Sequence, residues 1–141
     1  MGLLSKKQLL EKGVIEVVKV DLGNENFVFV RQMSGRERDH FEQSLLKMTK
    51  DSKGKIDGYE QNMEDFRAKL AVATICDEKG ELLLTFNDFP VLSQNMGYTM
   101  LDKIIAAAQE LNKITEEDKE VLLKNSEAVQ DGNSNSDSVK N

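Results

Sequence analysis

The sequence predicts an α+β fold: an N-terminal β-hairpin, with room for a third short strand, packed against a mainly helical domain and followed by a disordered C-terminal tail. Three observations carry that expectation. Two runs dense in β-branched and aromatic residues, 14–20 and 27–31, flank a short Gly/Asn segment, which is a hairpin pattern. Downstream, apolar residues recur at spacings of three and four, the period of helices with one buried face. After Asn125 that period stops, and a polar stretch from Asp131 to Ser138 cannot bury enough apolar surface to order itself. The 141 residues amount to one domain, expected over 1–125, with a polar tail over 126–141.

Taken in order, Ser5 and Gln8 form a reciprocal capping pair for a short helix that Gly13 ends. The first strand is expected over Val14–Val20 and the second over Phe27–Arg31, with the turn at Leu22-Gly23-Asn24-Glu25-Asn26. An isolated hairpin is not stable in water, so helices must cover one of its faces. Ser34-Gly35-Arg36-Glu37 is a second capping box. It opens a helix whose stripe Phe41, Leu45 and Met48 runs to about Lys50. Residues 51–58, with two glycines and alternating charge, read as a mobile surface loop. A buried helical seam then runs through Tyr59, Met63, Phe66, Leu70 and Ala73, widened by Val72, Ile75 and Cys76. Asp77–Glu81 is a tight turn, and Leu82–Phe86 is either the third strand or an extended connection. Asn87 and Asp88 are caps ahead of Pro90, which suits a first helical turn. Leu101, Ile104, Ile105, Ala108 and Leu111 mark a longer helix, and Thr115-Glu116-Glu117-Asp118 caps a last short one.

Composition excludes several functions. The single cysteine, Cys76, cannot form an internal bridge and fits a reducing compartment. A net charge of −6 argues against duplex nucleic acid as the main partner. No apolar run approaches the roughly 18 residues that a membrane span needs, and no secretory signal pattern opens the chain, so a cytoplasmic protein is expected. His40, the only histidine, has no nucleophile motif beside it and reads as a surface or boundary residue. Cys76 continues a helical seam and reads as a small buried hydrophobe. Lys53 and Lys55 stand where a calcium loop over 51–60 would need oxygen ligands, and one Cys with one His cannot make a structural zinc site. Glu64–Asp65 and Glu116–Glu117 are adjacent on their helices and do not face one another as an acid/base pair would. No catalytic residue, metal or cofactor is expected.

An interaction surface remains. Met33, Met48, Met63, Met96 and Met100 are numerous, and thioethers suit adaptable binding surfaces as well as cores; most are expected in the core. Phe86, Phe89 and Met96-Gly97-Tyr98 fall where helices are short and interrupted, and an apolar patch left open there would mark a partner site. The free edges of the hairpin are a second docking surface and leave self-association open.

Four segments, read in order, carry a resemblance. They are Phe27–Arg31 running into Ser34–Arg38 and Phe41-Glu42, Arg67–Leu70 through Cys76-Asp77-Glu78-Lys79-Gly80-Glu81-Leu82-Leu83, Leu101–Asn112, and Ile114–Asp118 ending at Lys124-Asn125. Over residues 14–125 the chain resembles the tail assembly chaperones of long-tailed bacteriophages and prophages. The resemblance implies a non-catalytic protein that works in the host cytoplasm during virion morphogenesis and is absent from the finished particle. It implies two partners, the tape-measure protein and the tail-tube protein, and no nucleic acid or membrane. Many such chaperones also exist as a longer product made by ribosomal frameshifting. The segment Phe89–Asn95 is less charged than that family's pattern. The partner contact is expected on Phe86, Phe89, Leu92, Met96, Tyr98 and Met100. A different class, a small phage-encoded adaptor or regulator binding one host or phage protein, is the competing expectation, and gene order separates the two.

Overall fold

The structure, a computed structural model, describes residues 2–11 and 15–114. Ser5 and Gln8 exchange the expected capping bonds, Ser5 N to Gln8 Oε1 at 2.9 Å and Gln8 N to Ser5 Oγ at 3.2 Å, and open α1 (Lys6–Glu11). The hairpin follows as β1 (Val17–Gly23) and β2 (Asn26–Arg31), an antiparallel pair. Its first strand begins later than the β-branched run suggests because Asn24 and Glu25, both with positive φ (53° and 64°), place the turn. Pairing Val18 with Val30 and Val20 with Val28 sets all four valines on one face. Val30 is fully buried there, while Lys19 stacks over Phe27 on the opposite face, 4.2 Å from the ring centroid.

Ser34 caps α2 (Gly35–Gln43), with Ser34 Oγ accepting from Glu37 N and Glu37 Oε1 accepting from Ser34 N. The helix stops at Gln43, short of the expected Lys50. Ser44 turns its hydroxyl onto the Phe41 carbonyl at 2.6 Å, Leu45 plunges into the core, and the chain becomes β3 (Leu46–Lys50). β3 pairs with β4 (Ile56–Gln61), so Tyr59 lies in a strand and not at the head of a helix. Of the expected loop over 51–58, residues 56–58 belong to β4 and only 51–55 connect the two strands, as a tight exposed turn. Asp51 Oδ1 accepts from Lys53 N and Lys55 N, and Gly54, at φ 84°, completes the hairpin turn.

The central helix α3 spans Phe66–Thr74, shorter than the Tyr59–Cys76 seam, with Met63 outside it and exposed. Phe66, Ala68, Lys69, Leu70, Ala71, Val72 and Thr74 are all buried, so this helix is covered on nearly every side. Thr74 bonds its hydroxyl back to the Leu70 carbonyl, and the β-branched Ile75 turns extended to begin β5 (Ile75–Cys76). β5 is the third strand of the sheet, in the order β1-β2-β5. It forms one segment earlier than Leu82–Phe86, of which Leu82 bridges Cys76 and Leu83 N donates to the Ile75 carbonyl at 3.1 Å. The turn between repeats the Asp51 chemistry: Asp77 Oδ1 accepts from Lys79 N and Glu81 N, and Gly80 has φ 89°.

A 3-10 turn (Phe86–Asp88) leads into α4 (Phe89–Asn95), which carries Pro90 in its first turn. Asp88 does not cap α4; its carboxylate accepts from Thr85 N at 2.8 Å and closes the 3-10 turn instead. α5 (Tyr98–Leu111) buries Leu101, Ile104, Ile105 and Ala108 between α3 and the hairpin's valine face, as its period predicts. The helix expected from Thr115 and the tail over 126–141 lie outside the described residues.

One polar junction ties these pieces together. Asn112, 8% exposed, accepts from Met33 N at 2.7 Å and donates to the carbonyls of Arg31 and Ala108. Its own carbonyl accepts from Arg38 at 2.7 Å. The Arg31 guanidinium donates to the Gly80 carbonyl at 3.0 Å and pairs with Glu37. Replacing Asn112 with Ala takes the acceptor from the part-buried Met33 N–H, and we expect a loss of about 1–3 kcal/mol in urea unfolding. Asp77 gives a pH test. The Glu81 N–H above all, then the Lys79 N–H and ammonium and the Gly80 N–H, hold its carboxyl below the ordinary carboxylate value, against a smaller opposing cost of desolvation. The folded state therefore binds this proton less readily than the unfolded chain, so the stabilisation is present above the ordinary carboxylate value and is lost as pH falls through the lowered folded value. The difference in urea midpoint between the wild type and Asp77→Ala should narrow steadily on acidification.

Candidate functional site

The segment from Leu82 to Met100 leaves apolar surface open because its elements are too short to cover one another. Phe86 sits edge-on to His40 with ring centroids 5.0 Å apart and leans on Phe89 at the same distance. The Lys69 ammonium lies 5.2 Å from the Phe89 ring centre. Ser93 Oγ donates to Asp65 Oδ1 and fixes α4 to the start of α3. This scaffold holds open an apolar groove of about 850 Å³ between α4 and α5. Its apolar walls are Leu84, Val91, Leu92, Met96, Tyr98 and Met100, joined by Asn95 and Thr99, and among the described residues Asp88 is its only ionisable side chain besides the Tyr98 phenol.

Four of the six residues expected to meet a partner, Leu92, Met96, Tyr98 and Met100, therefore line one groove. Tyr98 is 64% exposed and Val91 62%, while Leu92 and Met96 are half-buried against the core. Phe86 instead lines a neighbouring cleft of about 460 Å³ between α2, α3 and Leu82–Phe86, and Phe89 is the half-buried support behind it. Val91 and Leu84 share the groove although neither is among the six residues named for the partner contact. The pair Val91-Leu92 followed by Met96 was the available signal, since one short helix cannot bury both adjacent residues. The expectation that most methionines enter the core is corrected. Met48, Met63 and Met100 are exposed, and Met33 and Met96 pack only partly against the core.

The chain matches no family model, no curated protein and no solved structure.

Among the described residues, no group of three or more His, Cys, Asp and Glu is placed to hold a metal ion, and no helix is long and apolar enough to cross a membrane. His40 is exposed at the rim of the smaller cleft, and its recorded ring contact is with Phe86. Cys76 is free and 1% exposed in β5. Burial pushes its thiol pKa up, the nearby Arg31 guanidinium opposes that, and Asp77 adds to it. A raised folded value means that the contribution to stability is full below the ordinary thiol value and falls as pH rises through the folded one. Labelling of Cys76 by a water-soluble disulfide reagent should be slow in the native protein and fast in urea. Rapid labelling under native conditions would show that this thiol is an open, reactive group.

Proposed function

We propose that this chain is a non-catalytic tail assembly chaperone, which binds the tape-measure protein and recruits tail-tube subunits in the host cytoplasm. The observation that carries the binding part of this reading is the apolar groove between α4 and α5, with Val91 and Tyr98 exposed on its lips. A groove with apolar walls and almost no charge suits the apolar stripe of an amphipathic helix. A tape-measure chain is a long helical protein whose stripes need cover until tube subunits polymerise around it. The ordered resemblance of residues 14–125 supplies the identity of the partner. The net charge of −6 keeps a complex with so apolar a client in solution. Many copies bound along one client gain avidity even when each contact is weak.

Co-expression with the tape-measure protein of the same genome tests the reading. The client should appear in the soluble fraction and co-purify with the chain. The pair Val91→Asp and Tyr98→Asp, placed on exposed positions so that the fold survives, should cut the soluble client by about tenfold or more. Circular dichroism confirms that the variant is folded. A client equally soluble without the chain, or with the double variant, sinks the proposal.

A further inference from the structure

The smaller cleft meets the α4–α5 groove at Leu84, which lines both. Its chemistry is different. Phe41, Val72, Leu82 and Phe86 give it apolar walls. Three basic side chains border it: Arg36 and His40, one turn apart on α2, and Lys69 from α3. The one carboxylate on its lining, Glu37, is already engaged, by Arg31 and by the Ser34 N–H. The ion pairs among the described residues are Lys7–Glu11, Arg31–Glu37 and Arg38–Glu42, so neither Arg36 nor Lys69 has an acidic counterpart among those residues. Lys69 is 8% exposed, and its recorded contacts are neutral: the Ser44 carbonyl at 2.9 Å and the Phe89 ring. A local cationic surplus thus borders an apolar cleft on a chain of net charge −6.

Charge complementarity then names the occupant. A basic group brought into this cleft would meet two uncompensated cations, whereas a carboxylate would meet its missing partner. The apolar walls select an apolar anchor beside that carboxylate, and residues one helical turn apart in a partner helix lie about 5–6 Å from each other. We propose that the cleft receives an apolar side chain flanked, one turn away, by Glu or Asp from a helical protein partner. The site then discriminates against segments that carry Lys or Arg at that position. The proposal rests on the partner-binding reading above and adds to it a rule for which segments are chosen.

The probes are two fluorescein-labelled synthetic peptides of about 18 residues, long enough to hold a helix. Both carry a leucine stripe on an Ala/Gln background and differ only one turn from the central leucine, where one has Glu and the other Lys. Fluorescence anisotropy is read against the full chain. The overall charge favours the Lys peptide and the cleft favours the Glu peptide, so the two explanations have opposite signs. We expect the Glu peptide to bind about threefold more tightly, with the preference shrinking in high salt. Arg36→Glu should reverse the preference. Arg36 is exposed, and an acid in the first turn of α2 is favourable, so this variant keeps its fold. Equal binding of the two peptides, tighter binding of the Lys peptide, or a preference indifferent to Arg36→Glu overturns the cleft proposal and leaves the α4–α5 groove reading standing. If neither peptide binds, the cleft proposal falls, and co-expression with the client then decides the chaperone reading independently.

Discussion

The backbone between Arg31 and Ser34 holds the molecule together. The hairpin ends there and the helical part begins, so the placement of α2 and of the end of α5 is set from this point. A chain leaving the end of a strand has unsatisfied N–H and C=O groups, and burying them without partners would cost more than most side-chain contacts return. Asn112 answers with both ends of its amide, accepting from Met33 N and donating to the Arg31 carbonyl, and so fastens the end of α5 to the end of β2. Arg31 answers from the other side, reaching the Gly80 carbonyl and Glu37 together. Glu37 is also half of the capping box of α2. The direction in which α2 presents Arg36 and His40 is therefore set by the same groups that satisfy the backbone.

The hairpin's existence, the capping boxes and α5 were legible because each rests on local chemistry. Ser34 with Glu37 needs only three residues of context, and the α5 stripe is long enough for its period to be unambiguous. The stretch from Ser44 to Asp65 was misread for a physical reason. Phe41, Leu45 and Met48 have helical spacing, yet Leu45 is buried as the corner after the helix and Met48 points outward from a strand. The correcting signal was present in Asp51-Ser52-Lys53-Gly54, which matches Asp77-Glu78-Lys79-Gly80 at the first, third and fourth positions. In both segments the Asp carboxylate takes the N–H groups two and four residues on. The turn chemistry of the second segment applies equally to the first, and a tight turn between two short runs means a hairpin.

The candidate site was legible only in part, and the split follows from what sequence carries. Leu92, Met96, Tyr98 and Met100 stand close in the chain, on two short helices that meet at Gly97, so their convergence needs no long-range information. The cationic cleft joins Arg36 and His40 to Lys69 and Leu82, and nothing local links those positions. Net charge was misleading for the same reason. It describes a chain of −6, whereas a ligand within a few ångströms of Arg36 and Lys69 meets the opposite sign, and bulk solvent screens the distant acids more than the near cations.

The groove's rigidity bears on how it could bind. Short helices such as α4 do not hold themselves in water, and this one is held by others: the Thr85–Asp88 bonds fix its entry, the Ser93 bond to Asp65 fixes its middle, and Leu92 and Met96 anchor it to the core. Those restraints are already met in the chain without a partner. On the proposed reading, binding would order the partner and little of the receptor, sparing the entropy that an adaptable surface would lose. The exposed thioether of Met100 leaves side-chain adaptability on the wall of a groove whose backbone is held. A fixed groove with pliable edges tolerates many apolar sequences that share one shape. On the proposed reading that is what a repetitive helical client requires, and the charged cleft beside it would add the selectivity that apolar contact alone lacks.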